Sequence, residues 1–141
     1  MKEENIKMFV LDCSVTMAWC FEEESADASK QVLYLLKNMK AIVPAVWSLE
    51  VSNVLRVAER KSRINLADSD SFINMLNKLP IEVDIGLSSM FNKQLIAITR
   101  KHHLSSYDAA YLELALRYNV PLATFDSALR QAAQSEGLKL Y

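Results

Sequence analysis

Glycine and proline are nearly missing from this chain, two and three in 141 residues. Folds built from hairpins draw on both residues for their tight turns. The shortage argues against an all-β architecture and favours helices joined by short connections. Cysteine is equally scarce: Cys13 and Cys20 fit no metal-binding spacing and make a thin disulfide framework. They read as reduced thiols of a cytoplasmic protein. No apolar run approaches the length of a membrane span. Glu3 and Glu4 precede a very short apolar stretch that Asp12 ends, which is not a signal-peptide pattern. A surplus of either charge is also lacking. At a formal net charge of −1 the chain has no global attraction for nucleic acid or an anionic membrane. Contact with nucleic acid would need a local basic patch.

What is present is apolar and periodic. Hydrophobic residues at 51% and charged residues at 23% mark a folded globular chain, and 141 residues suit a single domain over 1–141. Met8-Phe9-Val10-Leu11 reads as a strand covered on both faces, stopped abruptly by Asp12. A short helix follows over 14–21, then a longer one that Glu22-Glu23-Glu24 and Ser25 open and that runs to about Met39. Ala41-Ile42-Val43 is a buried strand closed by Pro44, and 46–61 is a strong helix with the stripe Trp47, Val51, Val54, Leu55 and Ala58. Asn65 caps a helix to Asn77 carrying Leu66, Phe72, Ile73 and Leu76, and Pro80 blocks its continuation. Ile81-Glu82-Val83 is a strand. A helix from Ser88 or Ser89 to about His102 turns Met90, Phe91, Leu95 and Ile98 inward. Ser105 or Ser106 caps a helix to Tyr118, with Asn119 as its left-handed stop. Leu122-Ala123-Thr124 is a strand, Asp126 caps a last helix that Gly137 ends, and 138–141 adds a final strand. Short apolar strands alternating with helices predict a parallel α/β sheet.

Four carboxylates stand out. Asp12 and Asp126 each lie between a strand and a helix, where Asp is a common cap, and Asp108 follows Ser105 at capping-box spacing. Glu50 is harder to explain locally. It stands three residues after Trp47 and four before Val54, in a slot that helical periodicity assigns to the core. Burying an unpaired carboxylate is costly, so it needs a partner or a cation. The strand ends and the first turns of crossover helices share the carboxyl edge of such a sheet, where ligands bind. No Lys or Arg flanks any of the four. Together they would repel one another, and a hard divalent ion such as Mg²⁺, which takes oxygen ligands, relieves that repulsion.

In this order Leu11-Asp12-Cys13-Ser14, Glu50 followed by Asn53, Ser106-Tyr107-Asp108-Ala109 and Thr124-Phe125-Asp126 resemble the PIN-domain nucleases. The likeness is strongest to the VapC-type toxins of prokaryotic toxin–antitoxin pairs, and it covers nearly the whole chain. It implies a PIN fold, a parallel five-stranded sheet with helices on both faces, and an acidic metal pocket of Asp12, Glu50, Asp108 and Asp126. Ser14 and Thr124 match positions that support the pocket by hydrogen bonding, and Asn53 a polar position beside the acidic helix residue. The activity implied is Mg²⁺- or Mn²⁺-dependent hydrolysis of RNA, with Glu50 as ligand or general base. The partners implied are a cognate antitoxin protein whose peptide covers the groove, and a second copy in a homodimer.

Two basic groups are candidates for RNA phosphates: Arg56, Arg60 and Arg63, and Arg100, Lys101 and His102. For either group a solvated face is the simpler explanation. His102 and His103 end a helix, where the dipole and solvent account for them without catalysis. Packing accounts for Trp19, Phe21 and Trp47. Two rivals remain. A receiver-like phosphoacceptor domain would want a Lys near the end of a late strand, and residues 122–126 contain none. A non-catalytic PIN-like RNA-binding scaffold would have no need of all four acids.

Overall fold

Phe9, Val10 and Leu11 have no solvent exposure, as a strand covered on both faces requires. They belong to β1, Met8–Leu11. The structure is a computed structural model and describes residues 8–21, 27–86 and 93–141. After β1 come α1 (Cys13–Ala18), α2 (Asp27–Leu35), β2 (Lys40–Pro44), α3 (Val46–Arg60), α4 (Leu66–Asn77) and β3 (Ile81–Asp84). The chain continues with α5 (Lys93–His102), α6 (Ser106–Tyr118), β4 (Leu122–Ala123) and α7 (Ser127–Ser135). Glu3, Glu4 and the two expected helix starts, at Glu22 to Ser25 and at Ser88 or Ser89 with Met90 and Phe91, lie outside the described residues.

The described strands form one parallel sheet in the order β3-β2-β1-β4. The chain builds outward from β1 through β2 to β3, then returns to the other side of β1 with β4. That reversal makes the carboxyl ends of β1 and β4 the switch point, the place where such sheets bind ligands. The sheet has four strands among the described residues, whereas five were expected. Residues 138–141 lie beside β4 but make a single bridge, Leu122 to Leu140. Leu122 N donates to the Lys139 carbonyl at 3.0 Å and Tyr141 N to the Leu122 carbonyl at 3.1 Å. With two residues, β4 offers too short an edge for a longer ladder.

Residues 109–115 of α6 are all buried, so this helix is covered on every side. It packs on β1, β2 and β4 and meets α5 and α7. The α3 stripe forms largely as expected, with Trp47, Val51, Leu55 and Ala58 buried and Val54 half-buried. In α4 the stripe is narrower. Ser69, Phe72 and Leu76 are buried, whereas Leu66, directly after its cap, is 67% exposed and Ile73 is 41% exposed. Asn65 and Asp68 close a reciprocal capping box.

Each of the two glycines has a distinct task. Gly137 adopts φ 80° just past α7, and a Cβ on Gly86 would stand 2.8 Å from Nη1 of Arg117. That space lets Arg117 bond Asp84 and the buried Glu113, each at 2.9 Å. Where glycine is lacking, Ser62, His103 and Asn119 take left-handed φ of 58°, 55° and 55°. No helix among the described residues is long and apolar enough to cross a membrane.

Candidate active site

Asp12 leaves β1 with extended backbone and occupies the N-cap position of α1, yet its side chain caps nothing. Instead Oδ2 accepts the hydroxyl of Ser14 at 2.6 Å and the hydroxyl of Thr124 at 2.7 Å. Both donations are fixed by the loop after β4. Phe125 N donates to Ser14 Oγ at 3.0 Å and Asp126 N to Thr124 Oγ1 at 3.1 Å. An amide can only donate, so each hydroxyl accepts there and turns its one proton toward Asp12. Asp12 is 5% exposed. Burial raises its pKa, the two hydroxyls lower it, and the net direction is upward.

Glu50 is half-buried on α3, and its Oε1 accepts the phenol of Tyr111 at 2.6 Å. Burial raises its pKa, Tyr111 opposes this, and the charges of Asp12 and Asp108 add to the rise. Asp108 is half-buried in the first turn of α6, where its N–H donates to the Ser105 cap at 3.1 Å. Burial raises it too, followed by the charges of Asp126 and Asp12. Asp126 is exposed and does cap its helix, Oδ2 accepting Leu129 N at 2.9 Å.

The structure thus puts Asp12, Glu50 and Asp108 within electrostatic reach of one another at the carboxyl edge of the sheet, with Asp126 in reach of Asp108. Among the described residues no ion pair reaches any of them. Arg130, one turn after Asp126, donates instead to the main-chain carbonyls of Thr124 at 2.7 Å and Tyr141 at 3.1 Å. The four do not close on a point: among the described residues no three acidic, His or Cys side chains stand close enough to enclose an ion. The donor set is nonetheless all oxygen and uncompensated, which fits Mg²⁺ or Mn²⁺, since Mg²⁺ retains several waters and needs few protein ligands. Burial first, and then Glu50 and Asp12, push the Cys13 thiol up to about 12, away from the thiolate form.

Asn53 is exposed one turn beyond Glu50 and forms no hydrogen bond to the acids. The basic groups are partly engaged within the chain. Arg56 pairs with Glu59 at 3.3 Å, Lys101 and His102 meet Glu136 at 3.0 and 2.7 Å, and Arg63 lies 3.9 Å over the Phe21 ring. Glu136, rather than solvent, is therefore what His102 faces.

Three contributors were not singled out from the sequence as parts of the site. Thr16 donates its hydroxyl to the Asp12 carbonyl at 3.2 Å and accepts the Trp47 indole N–H at 3.0 Å, which ties α1 to the start of α3. Tyr111 is the third, and the signal for it is its place three residues after Asp108, on the same helical face.

A family model described as PIN domain matches residues 9–135. A search of curated proteins gives no match. Among solved structures, PAE2754 from Pyrobaculum aerophilum aligns at TM-score 0.66 and 16% identity, covering 92% of this chain and 87% of that one. VapBC2 from Rickettsia felis, bound to a DNA fragment from its promoter, aligns at TM-score 0.61 and 12% identity, covering 95% and 97%. VapBC-1 from nontypeable Haemophilus influenzae aligns at 0.56 and 17%, covering 95% and 96%. At these identities the likeness to the solved structures is one of fold.

Proposed function

The chain belongs to the PIN domain family, and on that premise we propose that it is a Mg²⁺- or Mn²⁺-dependent endoribonuclease, the toxin of a toxin–antitoxin pair. The observation that carries this is Asp12: a carboxylate 5% exposed, at the sheet's switch point, with Glu50 and Asp108 in electrostatic reach and no cation paired to it. The toxin assignment is supported by the fold likeness to two VapBC structures.

Asp12, Asp108 and Asp126 would hold the ion. When bound, a divalent ion neutralises charge on the scissile phosphate and makes water a stronger acid. Ser14 and Thr124 orient Asp12 by spending their protons on one oxygen. Glu50 acts as a further ligand or as the base that takes a proton from water. Its raised pKa brings it nearer the range a general base needs. Asn53 supplies a polar side chain beside Glu50. The acids by themselves repel RNA, so cleavage and ion binding are coupled. A homodimer, and an antitoxin peptide whose basic residue competes for the acids, complete the proposal. The receiver-like alternative has no support here, since among the described residues no Lys pairs with any of the four acids.

The test is a ribonuclease assay with Mg²⁺ or Mn²⁺, repeated with chelator and with Asp12→Asn. Each should lower cleavage by at least about a hundredfold, because even outer partners of metal ligands are worth ten- to hundredfold. Cleavage that survives both controls overturns the metal mechanism. Survival in the variant alone removes Asp12 from it.

A further inference from the structure

Among the described residues Tyr111 is the largest fully buried side chain, at 0% exposure. A phenol buried in a core needs a hydrogen-bond partner, and a main-chain carbonyl would serve. Here the partner is Oε1 of Glu50, 61 residues away in sequence and 2.6 Å away in space. The contact is short, as expected for a bond to an ionised carboxylate. No partner is recorded among the described residues for the other oxygen, Oε2. Glu50 is thus gripped at both ends. The Trp47–Thr16–Asp12 bonds anchor the start of its helix, and Tyr111, set in a packed helix, holds its tip.

A carboxylate free to turn can offer a cation both oxygens, whereas here Oε1 gives one of its two acceptor positions to the phenol, which ties the carboxylate down and leaves Oε2 the more open donor. Ca²⁺ takes six to eight oxygens and often binds carboxylates through both, while Mg²⁺ holds to near-octahedral geometry with single-oxygen donors and water. We propose that Tyr111 is a positioning residue that restricts Glu50 to a one-oxygen donor and so biases the acidic site toward Mg²⁺ and Mn²⁺ against Ca²⁺. This rests on the metal-site part of the proposed function but not on RNA as substrate.

The experiment titrates the full chain with Mn²⁺ by electron paramagnetic resonance, then competes with Ca²⁺, for wild type, Tyr111→Phe and Tyr118→Phe. Tyr118 is the control, because its hydroxyl bonds Asp84 at 3.2 Å and none of the four acids. In Tyr111→Phe the preference for Mn²⁺ over Ca²⁺ should fall about fivefold, the worth of one hydrogen bond. Tyr118→Phe should keep the wild-type ratio. An unchanged ratio in Tyr111→Phe overturns the proposal, as does an equal shift in Tyr118→Phe. Should Tyr111→Phe fail to fold, Glu50→Asp withdraws the carboxylate from the phenol by one methylene. It should lose discrimination likewise, and a retained ratio again overturns the proposal. Wild type that binds Mn²⁺ with this selectivity yet cleaves no RNA refutes the nuclease while upholding Tyr111. Wild type that binds no Mn²⁺ refutes both.

Discussion

At Asp12 two hydroxyl donors work against burial, and burial outweighs them. Glu50 and Asp108 shift the same way, burial first and neighbouring charge after it. In the metal-free protein these carboxyls bind protons more tightly than in the unfolded chain, where they titrate near about pH 4. Their contribution to stability is therefore complete below that pH and is lost as pH rises through their raised values. Two other acids run the opposite way. In Asp84 the hydrogen bonds and charge of Arg117, with Gly86 and Tyr118, overcome burial, and in Glu136 His102 and then Lys101 act, so both are lowered. Their contribution is present at higher pH and lost as pH falls. The expected observable is hence a difference. The unfolding free energy of wild type minus that of Asp12→Asn, from urea titrations in chelator, should fall as pH rises above about 4. A difference that stays level with pH would exclude this origin. The placement of the four acids at strand ends and in the first turns of helices was legible in the sequence, and so was the capping role of Asp126. That Asp12 caps nothing was not, because its competing donors come from Ser14 and from Thr124, 112 residues away.

Among the elements, helix endings show most directly what scarce glycine costs. Three stops use Ser62, His103 and Asn119 at left-handed φ. That conformation costs an L-residue roughly 1–2 kcal/mol, part of which glycine recovers. Replacing His103, which is exposed and has no hydrogen bond or ion pair among the described residues, by glycine should stabilise the fold by about 0.5–1 kcal/mol. Gly137→Ala, at φ 80°, should destabilise it by about 1 kcal/mol. Thermal unfolding reads both, as opposite shifts of roughly 2–6 °C. Equal or same-signed shifts would refute the strain. Asn119 was readable as a stop because Asn tolerates this conformation, whereas nothing about Ser62 announces it. The same limit applies to the α4 stripe, where periodicity marked Leu66 and Ile73 as inward and the neighbouring elements leave them exposed.

For the whole molecule the decisive feature is the reversal of strand order about β1, which sets Asp12 and Asp126 at one edge of the sheet while α3 and α6 carry Glu50 and Asp108. Uncompensated charge there should make folding depend on divalent ions. Mn²⁺ at a hundred times its dissociation constant should stabilise wild type by about 2.7 kcal/mol, with chelator reversing the gain. Asp12→Asn should show little of it at the same concentration, and an equal gain in both proteins would place the ion elsewhere. By itself the sequence determined the alternation of strands and helices, most of their caps and which acids stand at strand ends and first turns, since these are properties of short windows with a period of their own. Only the tertiary structure decided that residues 138–141 add a bridge rather than a strand, that His102 meets Glu136, and that Tyr111 and Thr16 hold the acidic elements in place. Those outcomes depend on contacts between segments tens of residues apart, such as Glu50 with Tyr111, and packing selects such contacts without leaving a local periodic trace.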